Sequence, residues 1–189
     1  MTHRLFCAIN LAQNEALVKA KEQLLGLEKL DGLNWVPMHN LHLTLRFLGK
    51  VQESKITQIN YQLRKATVSL NPFSLQFKGL GSFSQSNATG VLWMGIETNP
   101  NLQTLYLQIS QQLQQAGFPL ESRAFAPHIT IGRFRAPLCH REFYDILALH
   151  RDRYFGQVWV SQIQLMESKN TPKDVVYEAV ETFNLNAEY

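Results

Sequence analysis

Two short stretches hold the residues best suited to chemistry, His42-Leu43-Thr44-Leu45 and His128-Ile129-Thr130-Ile131. Successive side chains of an extended strand point to opposite faces. Leu41, Leu43, Leu45 and Phe47 are therefore expected to enter a core, with His42 and Thr44 side by side on the other face. The second copy repeats this, with Ile129 and Ile131 inward and His128 and Thr130 outward. Imidazoles titrate near pH 6.5, so of two facing each other one can be neutral and the other protonated. That is the requirement for concerted general base and general acid catalysis, worth about 10²–10⁴-fold per proton transfer. Each threonine hydroxyl, two residues along on the same face, can donate to a non-bridging phosphate oxygen and stabilise its growing charge. The reaction such a set suits is in-line attack on a phosphodiester. Water loses a proton on one side, the leaving oxygen gains one on the other, and no metal ion is required. One His-x-Thr pair is tolerated on any half-exposed sheet face; the duplication is what gives the pattern weight.

The elements that must position these residues can be read in order. Arg4–Asn10 reads as a buried strand. From about residue 13 to 30, Leu17, Ala20, Leu24 and Leu27 recur at helical spacing, and Asp31-Gly32 supplies a turn. Trp35-Val36 before Pro37 is a short extended piece, and residues 40–49 form the first motif strand. Ile56, Ile59, Leu63 and Ala66 mark a second amphipathic helix over 53–68. Residues 73–77 alternate as a strand, and the polar, glycine-rich run 79–90 reads as a loop able to rim a cleft. Val91–Ile96 is an apolar strand, followed by a helix opened by Asn99-Pro100 and closed by Gly117 and Pro119. The second motif strand is expected over 123–133, then a helix over 140–150 and strands over 158–166 and 175–183.

These elements repeat. His42 and His128 are 86 residues apart, and the same shift carries 5–9 onto 91–95, 13–30 onto 99–116 and 73–78 onto 159–164. The pattern predicts one domain over 1–189 whose two lobes derive mainly from repeats at about 4–78 and 90–164, with a C-terminal strand at 174–183. A pseudo-twofold axis between the lobes would set the two His-x-Thr faces opposite each other. Two long copies do not make a solenoid.

The chain has 189 residues, 45% of them hydrophobic and 17% charged, the profile of an ordinary globular protein. A net charge of +3 suits an anionic ligand without by itself indicating nucleic acid. No apolar run approaches the roughly 18 residues of a membrane span, and no signal segment opens the chain. Cys7 and Cys139 read as free thiols of a reducing, cytoplasmic protein.

With these residues in hand the chain resembles the 2H phosphoesterases, and among them the bacterial RNA 2′,3′-cyclic phosphodiesterases, also called 2′-5′ RNA ligases. The resemblance rests on Arg4-Leu5-Phe6-Cys7-Ala8-Ile9, on the run from Asn40 to Gly49, on Val91-Leu92-Trp93-Met94-Gly95-Ile96, on Pro127-His128-Ile129-Thr130-Ile131-Gly132-Arg133, and on a segment from Ser168 to Tyr177. It implies an α+β fold of two pseudo-symmetric lobes, each an antiparallel sheet with helices on its outer face, and an active-site cleft between them. It also implies metal-independent, cofactor-free opening of a terminal RNA 2′,3′-cyclic phosphate to a 2′-phosphate, with reversible 2′-5′ ligation as an added capability. Position by position, His42 and His128 would be catalytic and Thr44, Thr130 and Arg133 would bind the phosphate. By the same resemblance His42 is the acid and His128 the base.

Strict alternation places Arg133 on the face opposite His128. A bulge at Gly132 would reverse that phase; without it Arg46, in phase with His42 and Thr44, is the rival. His39 lies three residues before His42, a spacing that separates side chains along an extended segment, and no cysteine or carboxylate cluster completes a metal site. His3, His140 and His150 read as surface residues, and Phe6, Phe47 and Trp93 as core. Arg135, Arg141, Arg151 and Arg153 can track an RNA backbone but alternate with acidic residues, as a solvated helix face does. The expected partner is an RNA end carrying the cyclic phosphate, tRNA-like fragments included, with no membrane association and a monomeric chain. The competing classes are a module that binds a nucleotide or RNA end without turnover, and a phosphodiesterase for small cyclic nucleotides or 2′-5′ oligonucleotides.

Overall fold

The computed structural model describes residues 1–12, 14–24, 32–85, 89–135, 141–172 and 174–186. Cys139, His140 and the end of the first expected helix lie outside the described residues, as does the side chain of Arg135. The described residues form nine strands and four helices. In chain order these are β1 (Thr2–Asn10), α1 (Glu15–Glu22), β2 (Leu33–Trp35), β3 (His42–Gln52), α2 (Ile56–Thr67), β4 (Phe73–Gln85), β5 (Thr89–Ile96), α3 (Pro100–Gln115), β6 (His128–Arg135), α4 (Arg141–Leu149), β7 (Tyr154–Val160), β8 (Gln162–Asn170) and β9 (Val175–Asn184). Short 3-10 turns precede β3 and α2.

Local chemistry explains the helix boundaries. The side chain of Asn14 accepts from the Leu17 amide and opens α1. Asn99 accepts from the amides of Asn101 and Leu102, and Pro100 fills the first turn of α3, where its missing N–H costs nothing. Gly117, at φ +87°, closes that helix in the left-handed conformation.

All strands join one strongly curled antiparallel sheet in the order β7-β4-β5-β6-β3-β1-β8-β9, with β2 paired to β6. The fold is α+β and two-lobed: β7-β4-β5-β6 make one half-sheet and β3-β1-β8-β9 the other. The halves exchange strands. β4, from the first half of the chain, pairs β5 and β7, while β8, from the second, pairs β1 and β9. The four helices share one apolar core with one face of the sheet, including Leu17, Ile59, Leu63, Leu102, Leu105, Ile109, Leu113 and Phe143. A small second cluster, Phe6, Ala8 and Met166 with Tyr177, lies on the opposite face.

Several expected boundaries change. The run 79–90 is strand on both sides of the undescribed residues 86–88: β4 continues to Gln85, and Gln85 pairs with Thr89. Gly81 serves packing there and not a turn, since a Cβ would stand 2.1 Å from the Trp93 ring. Strand β6 begins at His128, so 123–127 is irregular approach. The single strand expected over 158–166 is two, β7 and β8, parted at Ser161. His150 is not a surface residue: it is buried beside Phe155, and its backbone N–H and C=O are both bonded. His3 is half-buried and paired with Glu167 at 2.7 Å.

Candidate active site

Strands β3 and β6 meet through one residue pair, Leu43 with Ile129, both fully buried. Cross-strand partners share a face, and their chain neighbours point to the other. His42, Thr44, His128 and Thr130 therefore gather on the face away from the helices, and all four are half-buried. Continuing the antiparallel register by one residue sets His42 across from Thr130 and Thr44 across from His128.

Both imidazoles are fixed in the same way. Nδ1 of His42 lies 2.7 Å from the carbonyl oxygen of Asn40, and Nδ1 of His128 lies 2.7 Å from that of Ala126. A carbonyl only accepts, so Nδ1 carries a proton in each ring and the neutral form has its lone pair on Nε2. Asn40 is itself buried: its Nδ2 donates to the Val175 carbonyl, and its Oδ1 accepts from the Tyr177 amide. Strand β9 thus braces the turn that holds His42. Aromatic rings support each imidazole. Phe6 and Tyr177 lie 5.0 and 4.9 Å from the His42 ring, centroid to centroid. Phe83 and Trp93 lie 5.2 and 6.3 Å from that of His128. Phe6 and Trp93 are thus supports on the site face, Phe6 in the small second cluster and Trp93 half-buried, and neither belongs to the main core. Asn40, Tyr177 and Phe83 were not assigned from sequence as supports of the site. Asn40 reaches the site as the near neighbour of His42 in the chain, whereas Tyr177 and Phe83 are brought there by pairing across the sheet.

Two bulges decide which further residues reach this face. Between β1 and β3, Cys7 pairs Arg46 and Ala8 pairs Thr44, so Leu45 is an extra residue that reverses the phase. Between β5 and β6, Leu92 pairs Gly132 and Trp93 pairs Thr130, so Ile131 is the extra residue there. The reversal expected from Gly132 occurs one residue earlier and brings Arg133 to the face of His128 and Thr130. Gly132 takes the core side, where a Cβ would meet Leu33 at 2.9 Å. The matching bulge removes Arg46. It is 4% exposed on the helix side, donates to the Pro119 carbonyl and pairs with Glu121 at 3.4 Å. Arg46 is therefore not placed to hold a phosphate beside His42. Phe47, expected in the core, is 65% exposed on the site face. The two bulged residues are themselves 86 apart, so Phe47 occupies in one lobe the position of Arg133 in the other.

The surroundings act on the titration of His42. Burial is the main cause that holds the pKa of His42 below the ordinary imidazole range, with the positive charges of Arg133 and His128 adding to it against its bond to Asn40. This favours neutral His42 in the free protein, with Nε2 ready to accept a proton. Arg133 has no ion-pair or hydrogen-bond partner among the described residues, so its guanidinium is free for an anion.

The relatives of this chain are consistent along its length. A protein of Methanocaldococcus jannaschii called RNA 2′,3′-cyclic phosphodiesterase is 34% identical over 94% of this chain and 98% of its own. One of the same name from Thermotoga maritima is 33% identical over 94% of this chain and 92% of its own. Among solved structures, E. coli LigT complexed with 3′-AMP superposes with a TM-score of 0.81 over 99% of this chain and all of its own, at 23% identity. A Thermus thermophilus protein superposes at 0.78 with 27% identity, over 98% of this chain and 100% of its own. The profile of the 2′-5′ RNA ligase superfamily matches residues 15–172, and the chain belongs to that superfamily.

Proposed function

We propose that this protein is an RNA 2′,3′-cyclic phosphodiesterase that opens a terminal cyclic phosphate to a 2′-phosphate by acid–base catalysis between His42 and His128. The observation that carries the reading is the matched pair of imidazoles on one sheet face, each with Nδ1 tied to a carbonyl and Nε2 left for the substrate. The names of the relatives over nearly the full chain agree with it.

In the proposed reaction Thr44, Thr130 and Arg133 hold the non-bridging oxygens of the cyclic phosphate between the two rings. One Nε2 takes a proton from water as its oxygen attacks phosphorus. The P–O3′ bond breaks, and the other Nε2–H delivers its proton to the ribose 3′-oxygen. The lowered pKa of His42 favours it as the base and His128 as the acid, the reverse of the order implied by the resemblance. A 5′-hydroxyl attacking in place of water would form a 2′-5′ linkage by the same transfers, which is the reversible ligation proposed with it. No metal or cofactor takes part.

The active unit proposed is a monomer of one domain, residues 1–189, acting on RNA ends in the cytoplasm. No described helix is long and apolar enough to cross a membrane. The test is an RNA with a labelled 2′,3′-cyclic phosphate end, incubated in excess EDTA beside free nucleoside 2′,3′-cyclic phosphates. Conversion of the RNA end to a 2′-phosphate is expected. No turnover, or turnover only after a divalent ion is restored, would overturn the proposal.

A further inference from the structure

The guanidinium of Arg46 is buried on the helix side of β3, two residues beyond Thr44, and its Nε and Nη1 make no hydrogen bond among the described residues. One carboxylate answers its charge, that of Glu121, itself 37% exposed. A buried cation so sparsely paired is costly, and an apolar side chain of similar volume often packs as well or better. What the guanidinium reaches is therefore informative. It donates to the Pro119 carbonyl and faces Glu121 at 3.4 Å, both in the irregular segment that leads from α3 to β6.

That segment ends in the tether of His128, where the Ala126 carbonyl accepts from Nδ1 at 2.7 Å. Among the described residues, 119–126 make no hydrogen bond to another backbone group. Phe125 stacks on Tyr106 of α3 with centroids 4.0 Å apart, but a ring stack sets a distance and lets the chain pivot about it. The tether of His42 is braced differently, because the Asn40 side chain bonds both Val175 and Tyr177 of β9. The sheet does little to fix one motif against the other, since β3 and β6 share only the Leu43–Ile129 pair. Arg46 supplies a second tie, from the first motif strand to the approach of the second.

We infer that Arg46 is a positioning residue: by anchoring Pro119 and Glu121 it sets the course of the chain to Ala126, and so fixes the tautomer and aim of His128. The catalytic consequence rests on the function proposed above; the tether itself does not. Which imidazole nitrogen carries the proton follows from the bond that the other one makes. If Ala126 swings away, Nδ1 loses its acceptor, the neutral ring can hold its proton on Nε2, and the ring is free to turn. A reacting group displaced by about 1 Å costs on the order of 10²-fold in rate.

The test compares wild type with Arg46→Met, which keeps a long unbranched side chain without the charge, and with Glu121→Ala at an exposed position. Two-bond ¹H–¹⁵N spectra of both imidazoles are recorded at alkaline pH, where the rings are neutral, beside kcat and KM on an RNA 2′,3′-cyclic phosphate end. Wild type should show Nδ1–H in both rings. In Arg46→Met the His128 pattern should move toward Nε2–H while His42 keeps its own, and kcat should fall by about 10²-fold with KM little changed. Glu121→Ala should shift His128 the same way in smaller measure. If wild type turns nothing over yet His128 shifts as stated, the phosphodiesterase reading falls and the tether stands. An unchanged His128 pattern in folded Arg46→Met would overturn the inference, and if that variant does not fold, the same result in Glu121→Ala would. So would an equal change in both imidazoles, the mark of a general loosening, or a shifted His128 in an active enzyme whose kcat is unchanged.

Discussion

At the residue scale, two histidines share the same tether, and their separate roles can be measured. Replacing either by alanine should lower turnover by about 10²–10⁴-fold, the usual worth of one positioned acid or base. Folding should be little affected, since both side chains stand on the half-buried site face, outside the main core. For the wild type, kcat/KM should be bell-shaped in pH, with apparent pKa values that belong to the coupled pair. If His42 is the base, His42→Ala removes the acidic limb and keeps the alkaline one; if it is the acid, the opposite limb survives. Arg133 gives an independent check. Its positive charge lowers the His42 pKa, so Arg133→Ala should move the limb assigned to His42 to higher pH. The same variant should lose about 10²–10³-fold in kcat, as when one donor to a developing anion is removed. An unmoved limb with full activity would place Arg133 outside the reaction.

At the scale of elements, the sheet face depends on its bulges and on one glycine. Alternation in the sequence located His42, Thr44, His128 and Thr130 correctly, because no bulge separates members of either pair. It failed one residue further on, where Leu45 and Ile131 are extra residues that exchange inside for outside. Nothing in an apolar Leu or Ile signals a bulge, so Arg46 and Phe47 were read with each other's surroundings. The run 79–85 misled for the opposite reason. Its glycines read as turn chemistry, yet Gly81 is there to let the Trp93 ring lie over the strand. Gly81→Ala should therefore force the indole aside and cost about 1–3 kcal/mol, the usual penalty of overpacking. Trp93 adjoins both Phe83 and His128, so activity should fall along with stability. Urea titration together with kcat/KM checks both; a variant with wild-type midpoint and rate would show that the ring has room elsewhere.

At the scale of the whole molecule, the repeat visible in the sequence is a repeat of elements, and the exchanged strands determine how it folds. The shift of 86 residues carries 73–78 onto 159–164, a segment that spans the break between β7 and β8. Its physical meaning is clear only from the pairing: β4, the strand after α2, joins the lobe of β5, as does β7, whereas β8, the second strand after α4, joins the lobe of β1. Neither half of the chain contains the neighbours its own strands need. A fragment of residues 1–85 would leave one edge of β1 bare and both edges of β4 unpaired, exposing rows of unpaired N–H and C=O groups. Such a fragment should not fold alone, and the intact protein should unfold in one cooperative step. The three tryptophans make this testable. Trp35, Trp93 and Trp159 lie on β2, β5 and β7, all in the β7-β4-β5-β6 lobe, so their fluorescence reports that lobe alone. Far-UV circular dichroism reports both lobes. Coincident urea transitions by the two probes are expected; a dichroism change that precedes the fluorescence change would show that the lobes unfold separately, and a cooperative melt of the 1–85 fragment would show that this half of the chain folds without the strands it exchanges.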